Sequence, residues 1–526
     1  MTKKNEENEN EDNSEKIETL IKEEEIIKSA GRENLSIVVI EKYSFDAKGI
    51  PVEITIIQKK TDYVPHYIIK IPLLAEGTKI MLNALKGELI TEVKIDVSEL
   101  LDLKAAEDVR KKFSEKANEL LDKHFTGVDP TKKSVLVSYL LQSTLGLGEL
   151  EILMADDNLE DVTINGPNDP VWIYHKRIGW CKTNLWIRRN EVIYDYASMI
   201  GRKVGRQINV LNPVMNAHLS TGDRVNATIS PISTFGNTIS IRRFSRNPWT
   251  IPTLIDIKTI NPTAASLLWL SVQNEISILS SGGTGSGKTS FLNALCCMIP
   301  PNQRVISIED TRELNLPEFL QWVALTTREP NPEGKGEVTM LNLLVNSLRM
   351  RPDRIIVGEV RRQREAEVLF EAIHTGHSVY ATIHADTSSE CITRLTTPPI
   401  NLPKAVIPAL GGIVIQYRNR RSGIRRTFEF SEITETGDAN ILYRWDPKAD
   451  DLKEVGPIAR LGDTIGLYTG MTSKEINEDI KEKEKILRWM TKKKYFDINI
   501  VGKIISDYYK DPKYIIEAAT KNKEWI

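Results

Sequence analysis

Apolar and polar positions change period several times along this chain. Runs at 36–40, 52–57 and 67–71 predict strands, with a turn at Asp46-Ala47-Lys48-Gly49. Val93, Ile95 and Val97 alternate with Glu92, Lys94 and Asp96, which predicts a half-buried strand. Helical spacing follows near 105–123 and 133–145. A second stretch predicts a strand at 162–164, a hairpin over 171–187, a helix over 192–205, and strands at 224–229 and 239–243. Pro248, Pro252 and Pro262 then punctuate a linker. Beyond it the pattern alternates. Apolar runs at 276–280, 304–308, 354–358, 378–383 and 413–417 are mostly separated by helical stretches. That order predicts an α/β unit with a mostly parallel sheet covered on both faces. Thr472-Ser473-Lys474-Glu475 reads as a capping box, and Ile476, Ile480, Leu487 and Met490 continue a helical stripe.

These patterns divide the chain into an acidic tail (1–33) expected to be disordered or frayed, an α+β module (34–130), a second unit (131–247), a linker (248–262), the alternating unit (263–445) and a mostly helical end (446–526). A length of 526 residues suits roughly two to four domains. The formal charge of −2 gives no global basic field, so bulk nucleic-acid binding is not signalled. Four cysteines without a C-x-x-C pair form neither a disulfide framework nor a zinc site, and suit a reducing cytoplasm. The acidic, polar start does not read as a secretory signal. The longest apolar candidate, 405–417, is short and broken by Pro408, Gly411 and Gly412, so a membrane role is expected to be peripheral, through a partner.

Candidate chemistry centres on Gly282-Gly283-Thr284-Gly285-Ser286-Gly287-Lys288-Thr289, followed by Ser290 and a helical run. It fits G-x-x-x-x-G-K-[ST] between a strand and a helix. Glycines let backbone N–H groups approach phosphate oxygens, and the helix start adds partial positive charge. Lys288 can reach the β- and γ-phosphates and the Thr289 hydroxyl can hold Mg²⁺, so ATP and Mg²⁺ are the expected cofactors. By itself the loop says only that a nucleoside triphosphate binds.

Three further elements fall at strand ends, where such sheets bind ligands. Glu309 follows Val305-Ile306-Ser307-Ile308 and is the candidate for orienting and deprotonating the attacking water; an ordinary polar strand end is the alternative. In Ile355-Ile356-Val357-Gly358-Glu359-Val360-Arg361, Gly358 stands where many phosphate-loop enzymes carry a metal-binding Asp. Glu359 is then the acid left to support the metal, through water. His384 closes the 378–383 run and reads as a γ-phosphate sensor. His377 lies seven residues earlier, on the opposite face if one strand holds both, and a zinc site lacks a third ligand. His374 is open to reading as a core histidine. In the second unit Arg224 shares a polar strand face with Asn226 and Thr228, while the neighbours Arg242 and Arg243 point to opposite faces. Any of the three could supply a phosphate-stabilising arginine, and a solvated strand edge is the alternative. The run 417–426 looks like a basic hairpin, most simply a solvated turn.

In this order, the loop 282–289, the Ile308-Glu309-Asp310 box, the Gly358-Glu359 strand and the Thr375-Gly376-His377 to His384 box resemble the secretion-type ATPase superfamily. That family includes the hexameric motors of type II secretion, type IV pili, the archaellum and conjugation-type systems. The family's Walker B strand has the same Gly-Glu, which accounts for Gly358. The resemblance covers about 160–445. Thr311-Arg312-Glu313 after the acid pair, the run 394–403, and the lack of a tetracysteine zinc module look archaeal. It implies a RecA-like C-terminal domain preceded by a PAS-like domain, with nucleotide between them. It also implies a cytoplasmic homo-hexamer at the inner face of the membrane, docked to a polytopic platform protein and serving a pilin-like or archaellin filament indirectly. A nucleic-acid translocase and a nucleotide-gated scaffold with little turnover are the other classes such a core could serve.

Overall fold

The computed structural model describes residues 37–525 except 73, 94–102, 126, 220, 245–246 and 331–333. The expected tail at 1–33 lies outside the described residues. The fold is mixed α/β with two large sheets, in two compact units that divide at Arg243/Phe244.

The first unit holds β1 (Ile37–Asp46), β2 (Pro51–Lys59), β3 (His66–Lys70), β4 (Leu159–Ile164), β5 (Pro170–His175), β6 (Gly179–Trp186), β7 (Val214–His218), β8 (Arg224–Thr228) and β9 (Thr238–Arg242). They form one sheet in the order β1-β2-β3-β6-β5-β4-β9-β8-β7. The expected modules 34–130 and 131–247 therefore share a sheet. Their junction is the parallel pair β3·β6, with His66 opposite Lys182 and Tyr67 opposite Thr183. Asn184 extends that ladder with its side chain, accepting from Ile69 N–H (2.9 Å) and donating to Ile69 C=O (3.0 Å). A parallel pair needs a long connection, and the chain between these strands supplies one.

Part of that connection is a helix, Glu76–Glu92, that the strand alternation around 92–97 does not suggest. Its buried Leu82, Leu85 and Leu89 keep helical spacing. Glu92 is its last residue and the Val93 N–H closes onto Leu89 O at 3.1 Å, so the expected strand does not begin there. The remaining positions of that expectation, 94–97, lie outside the described residues.

In the second unit β10 (Ile278–Gly282), β11 (Arg304–Glu309), β12 (Gln321–Thr326), β13 (Arg354–Val357), β14 (Ser378–Ile383) and β15 (Gly412–Arg418) are parallel neighbours in the order β12-β11-β13-β14-β10-β15. An antiparallel extension follows: β16 (Arg425–Ile433), β17 (Ala439–Asp446) and β18 (Asp451–Glu454). Successive residues of the parallel strands enter different cores. Ile278, Ile356 and Val414 face one, while Leu279, Ile355, Val357, Ile413 and Ile415 face the other. Burial on both faces explains why these strands read as unbroken apolar runs.

The expected linker carries the helix Ile251–Asp256, and its Ile251 and Leu254 are buried in the first of those cores. The C-terminal helices join the same core. Helix Ser473–Lys492 starts with the Thr472/Glu475 capping box and packs Ile486, Leu487 and Met490 into the cluster that holds Trp269 and Leu292. Lys483 is fully buried in that helix, with Nζ 2.5 Å from Asp479 Oδ1, 3.1 Å from Tyr508 OH, and 5.6 Å above the Trp269 ring. An ammonium without water is tolerable only with such partners. Hence 446–526 completes the second unit's core. The four cysteines are buried and free. Among the described residues no helix is long and apolar enough to cross a membrane.

Candidate active site

The phosphate loop leaves the carboxyl end of β10 and runs into the helix Lys288–Cys296. Gly282 is pressed against β15: a Cβ there would stand 2.0 Å from Gln416 O, and its φ is 143°. No other residue fits. Gly287 precedes the helix at φ 96°, with no side chain to cap the first N–H groups, which leaves them for a ligand. Below the loop, Ser281 Oγ donates to Ala385 O at 2.8 Å and Ser280 Oγ to Lys288 O at 3.1 Å, tying the end of β10 to the segment that follows β14 and to the helix after the loop. Ser286 Oγ is buried and meets no hydrogen-bonding group among the described residues. Lys288 Nζ donates to Gly283 O at 3.0 Å and lies 3.4 Å from His384 Nε2. Burial holds the Lys288 ammonium below its usual pKa, against the pull of Glu359, Glu313 and Asp386.

Glu309 ends β11 with 2% of its surface exposed. Its Oε1 accepts from the N–H groups of Glu313 (2.9 Å) and Leu314 (3.0 Å). Its Oε2 is buried without a hydrogen-bonding group among the described residues. Burial pushes its pKa up to about 7, despite the two N–H bonds that favour the anion. A carboxylate that titrates near neutrality, with one oxygen held and one uncommitted, has the properties of a general base.

The structure also explains Gly358. A Cβ there would lie 3.3 Å from Glu309 Cγ and 3.4 Å from its Cα. A metal-binding Asp at this position would crowd Glu309 and set a second carboxylate beside it. Gly358→Asp is expected to cost about 1–3 kcal/mol of stability through overpacking and to raise the Glu309 pKa further. Urea unfolding and a pH titration of the Glu309 carboxyl check both. Wild-type stability would show that the close approach does not dictate the glycine.

Glu359 is half-buried. Its Oε2 accepts from Arg361 Nη2 at 2.7 Å and its Oε1 lies 3.7 Å from His384 Nε2. Arg361 Nη1 also reaches Asp310 Oδ2 at 3.0 Å. A continuous polar chain thus runs Asp310–Arg361–Glu359–His384–Lys288, from the acidic box to the loop lysine. Against the desolvation that opposes it, the Arg361 bond holds Glu359 below the usual carboxylate range. Burial, then Lys288, holds the His384 pKa down, so the ring is neutral at pH 7. Lys288 can only donate and the ionised Glu359 can only accept, and both face Nε2, so the two neighbours pull the ring proton in opposite directions.

Sequence reasoning missed Asp310 and Arg361 as members of this chain. Arg361 sits two residues after Glu359, a spacing that could have suggested the pair. Strand β14 begins at Ser378, immediately after His377, so the two histidines are not on one strand. His377 Nδ1 lies 3.1 Å from Thr375 Oγ1. His374 is not a core residue: it is exposed at the end of helix Gln363–His374, with Nδ1 2.8 Å from Phe370 O. No group of three metal-ligating side chains occurs among the described residues. Thr289 and an ionised Glu359 do not make a cage, but they suit Mg²⁺, which keeps several waters and takes oxygens from its substrate.

The arginines of the first unit have neighbours of their own. Arg242 pairs with Asp161 at 3.1 Å and its side chain is 58% exposed. The Arg243 side chain is 6% exposed, pairs with Asp157 at 3.5 Å and donates to Asp156 O. The two do point to opposite faces. Arg224 is half-exposed at the start of β8, on the face it shares with Asn226 and Thr228.

The model of the type II/IV secretion system protein family matches residues 149–416, which include the phosphate loop, Glu309, Glu359 and His384. The chain belongs to the type II/IV secretion system protein family. Among its relatives is the uncharacterized protein MJ0900 of Methanocaldococcus jannaschii, 32% identical over 395 residues, covering 73% of this chain and 71% of that one. A second, MJ0781 of the same organism, is 35% identical over 351 residues, covering 64% of this chain and 46% of the relative. The putative conjugal transfer protein Rv3659c of Mycobacterium tuberculosis is 32% identical over 282 residues, covering 52% and 76%. A solved structure, the VirB11 ATPase of the Brucella suis type IV secretion system with sulphate, is 25% identical, covers 55% of this chain and 93% of its own, and gives a TM-score of 0.29.

Proposed function

We propose that this family member is an Mg²⁺-dependent ATPase that works as a cytoplasmic homo-hexamer at the inner face of the membrane. Docked to a polytopic platform protein, it would convert hydrolysis into assembly or movement of a pilus-like or archaellum filament, or of a secretion machine. The observation that carries the reading is Glu309: a buried carboxylate titrating near 7, with an uncommitted oxygen, at the end of β11 in the sheet that bears the phosphate loop. Lys288 and the loop N–H groups would hold the β- and γ-phosphates. Thr289 and Glu359 would hold Mg²⁺, which shields phosphate charge when bound. Neutral His384, between Lys288 and Glu359, would sense the γ-phosphate. The second unit is read as RecA-like, and the 131–247 part of the chain before it as PAS-like.

Phosphate release from the purified chain with Mg·ATP, together with its mass in solution, tests the reading. Turnover no greater than that of Lys288→Ala, or a chain that stays monomeric with nucleotide, would sink the motor. For the stabilising arginine we propose Arg224, with Arg242 and Arg243 as further candidates. Arg224→Ala is expected to bind ATP nearly normally and hydrolyse it slowly. If Arg224 acts on a neighbouring subunit, mixing it with Lys288→Ala subunits restores part of the activity, because some sites then have both an intact loop and an intact arginine. Verified mixed rings without recovery count against action between subunits, and full activity of Arg224→Ala alone rules the residue out.

A further inference from the structure

The basic run 417–426 is more than a solvated turn, because its flanking arginines lie against the phosphate loop. Gly282 of β10 is in register with Gln416 of β15, so Arg418 extends two residues past the loop's first glycine. Arg425 of β16 is the partner of Arg418 across the hairpin. Directly paired residues direct their side chains to one face of a sheet. Arg425 Nε donates to Gly285 O at 3.0 Å. Its Cδ is 3.7 Å from where a Cβ on Gly287 would stand, and Arg418 Nη1 is 2.7 Å from where one on Gly285 would stand. A side chain at Gly285 would thus collide with the Arg418 guanidinium, while the Arg425 stem passes Gly287 at ordinary contact distance.

This placement gives the loop two unlike flanks. Strand β10 lies between β14 and β15. Glu309, Glu359 and Asp386 belong to the β14 side, and Asp386 Oδ1 is 3.2 Å from where a Cβ on Gly283 would stand. The two arginines belong to the β15 side. The loop they face is built for anions. Guanidinium forks match phosphate oxygens in pairs. A phosphate undergoing transfer belongs on the acidic flank, where Glu309 can act on water; the basic flank suits phosphates that stay with the nucleoside.

We propose that Arg418 and Arg425 bind the non-transferred phosphates of the nucleotide, supplied by the same chain that supplies the loop. The proposal rests on the phosphate-loop reading above and adds residues that lie just beyond the 149–416 family match.

The test is calorimetric binding of Mg·ADP to the full chain, with tripolyphosphate as a competitor that carries phosphates alone. Arg418→Gln and Arg425→Gln are each expected to raise the Kd for ADP roughly tenfold, and the double variant more, which is the scale of one or two charge-assisted contacts. Tripolyphosphate affinity should fall in parallel, and Lys at either position should restore part of both. Nucleotide-free melting temperatures and the Lys variants separate lost contacts from a damaged fold. Wild-type ADP affinity in the double variant overturns the proposal. So does a loss for ADP with unchanged tripolyphosphate competition, because the contact would then be to the nucleoside. Lys288→Ala run in parallel separates the two failures: if it also binds ADP normally, the loop reading itself falls.

Discussion

Glu309→Gln is expected to slow ATP hydrolysis by roughly two orders of magnitude or more while leaving Mg·ATP binding intact, and to make the nucleotide-free protein more stable above neutral pH. Both effects come from one feature, a carboxylate kept almost entirely from water with only Oε1 hydrogen-bonded. Its folded pKa, about 7, lies above the ordinary 4.5. The native state therefore keeps this proton in a range where the unfolded chain has released it. The stability this contributes is fully present below pH 4.5 and is lost as pH rises through about 7. Above that the wild-type protein holds a buried anion. Glutamine keeps the acceptor that takes the Glu313 and Leu314 N–H groups and removes the charge, although its amide NH₂ inherits the unpartnered position of Oε2. Removing the charge outweighs that cost, so a gain of about 1–3 kcal/mol is expected at pH 8 and little at pH 4. Single-turnover phosphate release and urea unfolding at the two pH values read the effects. Normal hydrolysis would place the base elsewhere. A stability difference independent of pH would mean that Glu309 is not an elevated acid.

How far the sequence showed this site depends on what each part needs. The loop was legible because its glycines, lysine and threonine fall within one short run at fixed spacing, and Gly287 meets a local demand by turning left-handed into the helix. The central parallel strands were legible because burial on both faces makes them short apolar runs bounded by polar residues. Pairing between distant strands leaves no local trace. Nothing in the period of 67–71 shows that β3 lies beside β6, so a shared sheet read as two modules. Strand β7 has only Met215 and Ala217 facing inwards, too few for a clear alternation. The C-terminal helices announced themselves by caps and stripes, but not that their apolar face completes the core around Trp269. The chain from Asp310 to Lys288 joins residues from three strand ends and the loop after β10, so it exists only once β11, β13, β14 and β10 are placed side by side. The arginines of the hairpin are the same case: a basic turn becomes part of a binding site through the register of Gly282 with Gln416.

Lys288→Ala is expected to abolish productive nucleotide binding and hydrolysis without unfolding the chain. The side chain is half-buried, donates one bond to Gly283 O, and neighbours His384. Losing that bond should cost on the order of 1 kcal/mol, because a single intramolecular hydrogen bond contributes about that much net. Binding should suffer far more. Burial already disfavours the ammonium here, and the surrounding Glu359, Glu313 and Asp386 only partly compensate. A polyphosphate placed against Nζ supplies the missing counter-charge, so cation and ligand stabilise one another in a site with little water. Alanine leaves that ligand facing the carboxylates of the β14 flank with one cation fewer. Without nucleotide, circular dichroism should match the wild-type protein and the melting temperature should fall by no more than a few degrees. Mg·ATP should raise the wild-type melting temperature and leave that of the variant unchanged, as linkage requires of a ligand that no longer binds the native state. Phosphate release should fall to background. Normal turnover in a folded Lys288→Ala protein would remove the phosphate-loop argument, and with it the roles given to Glu309, Glu359, Arg418 and Arg425.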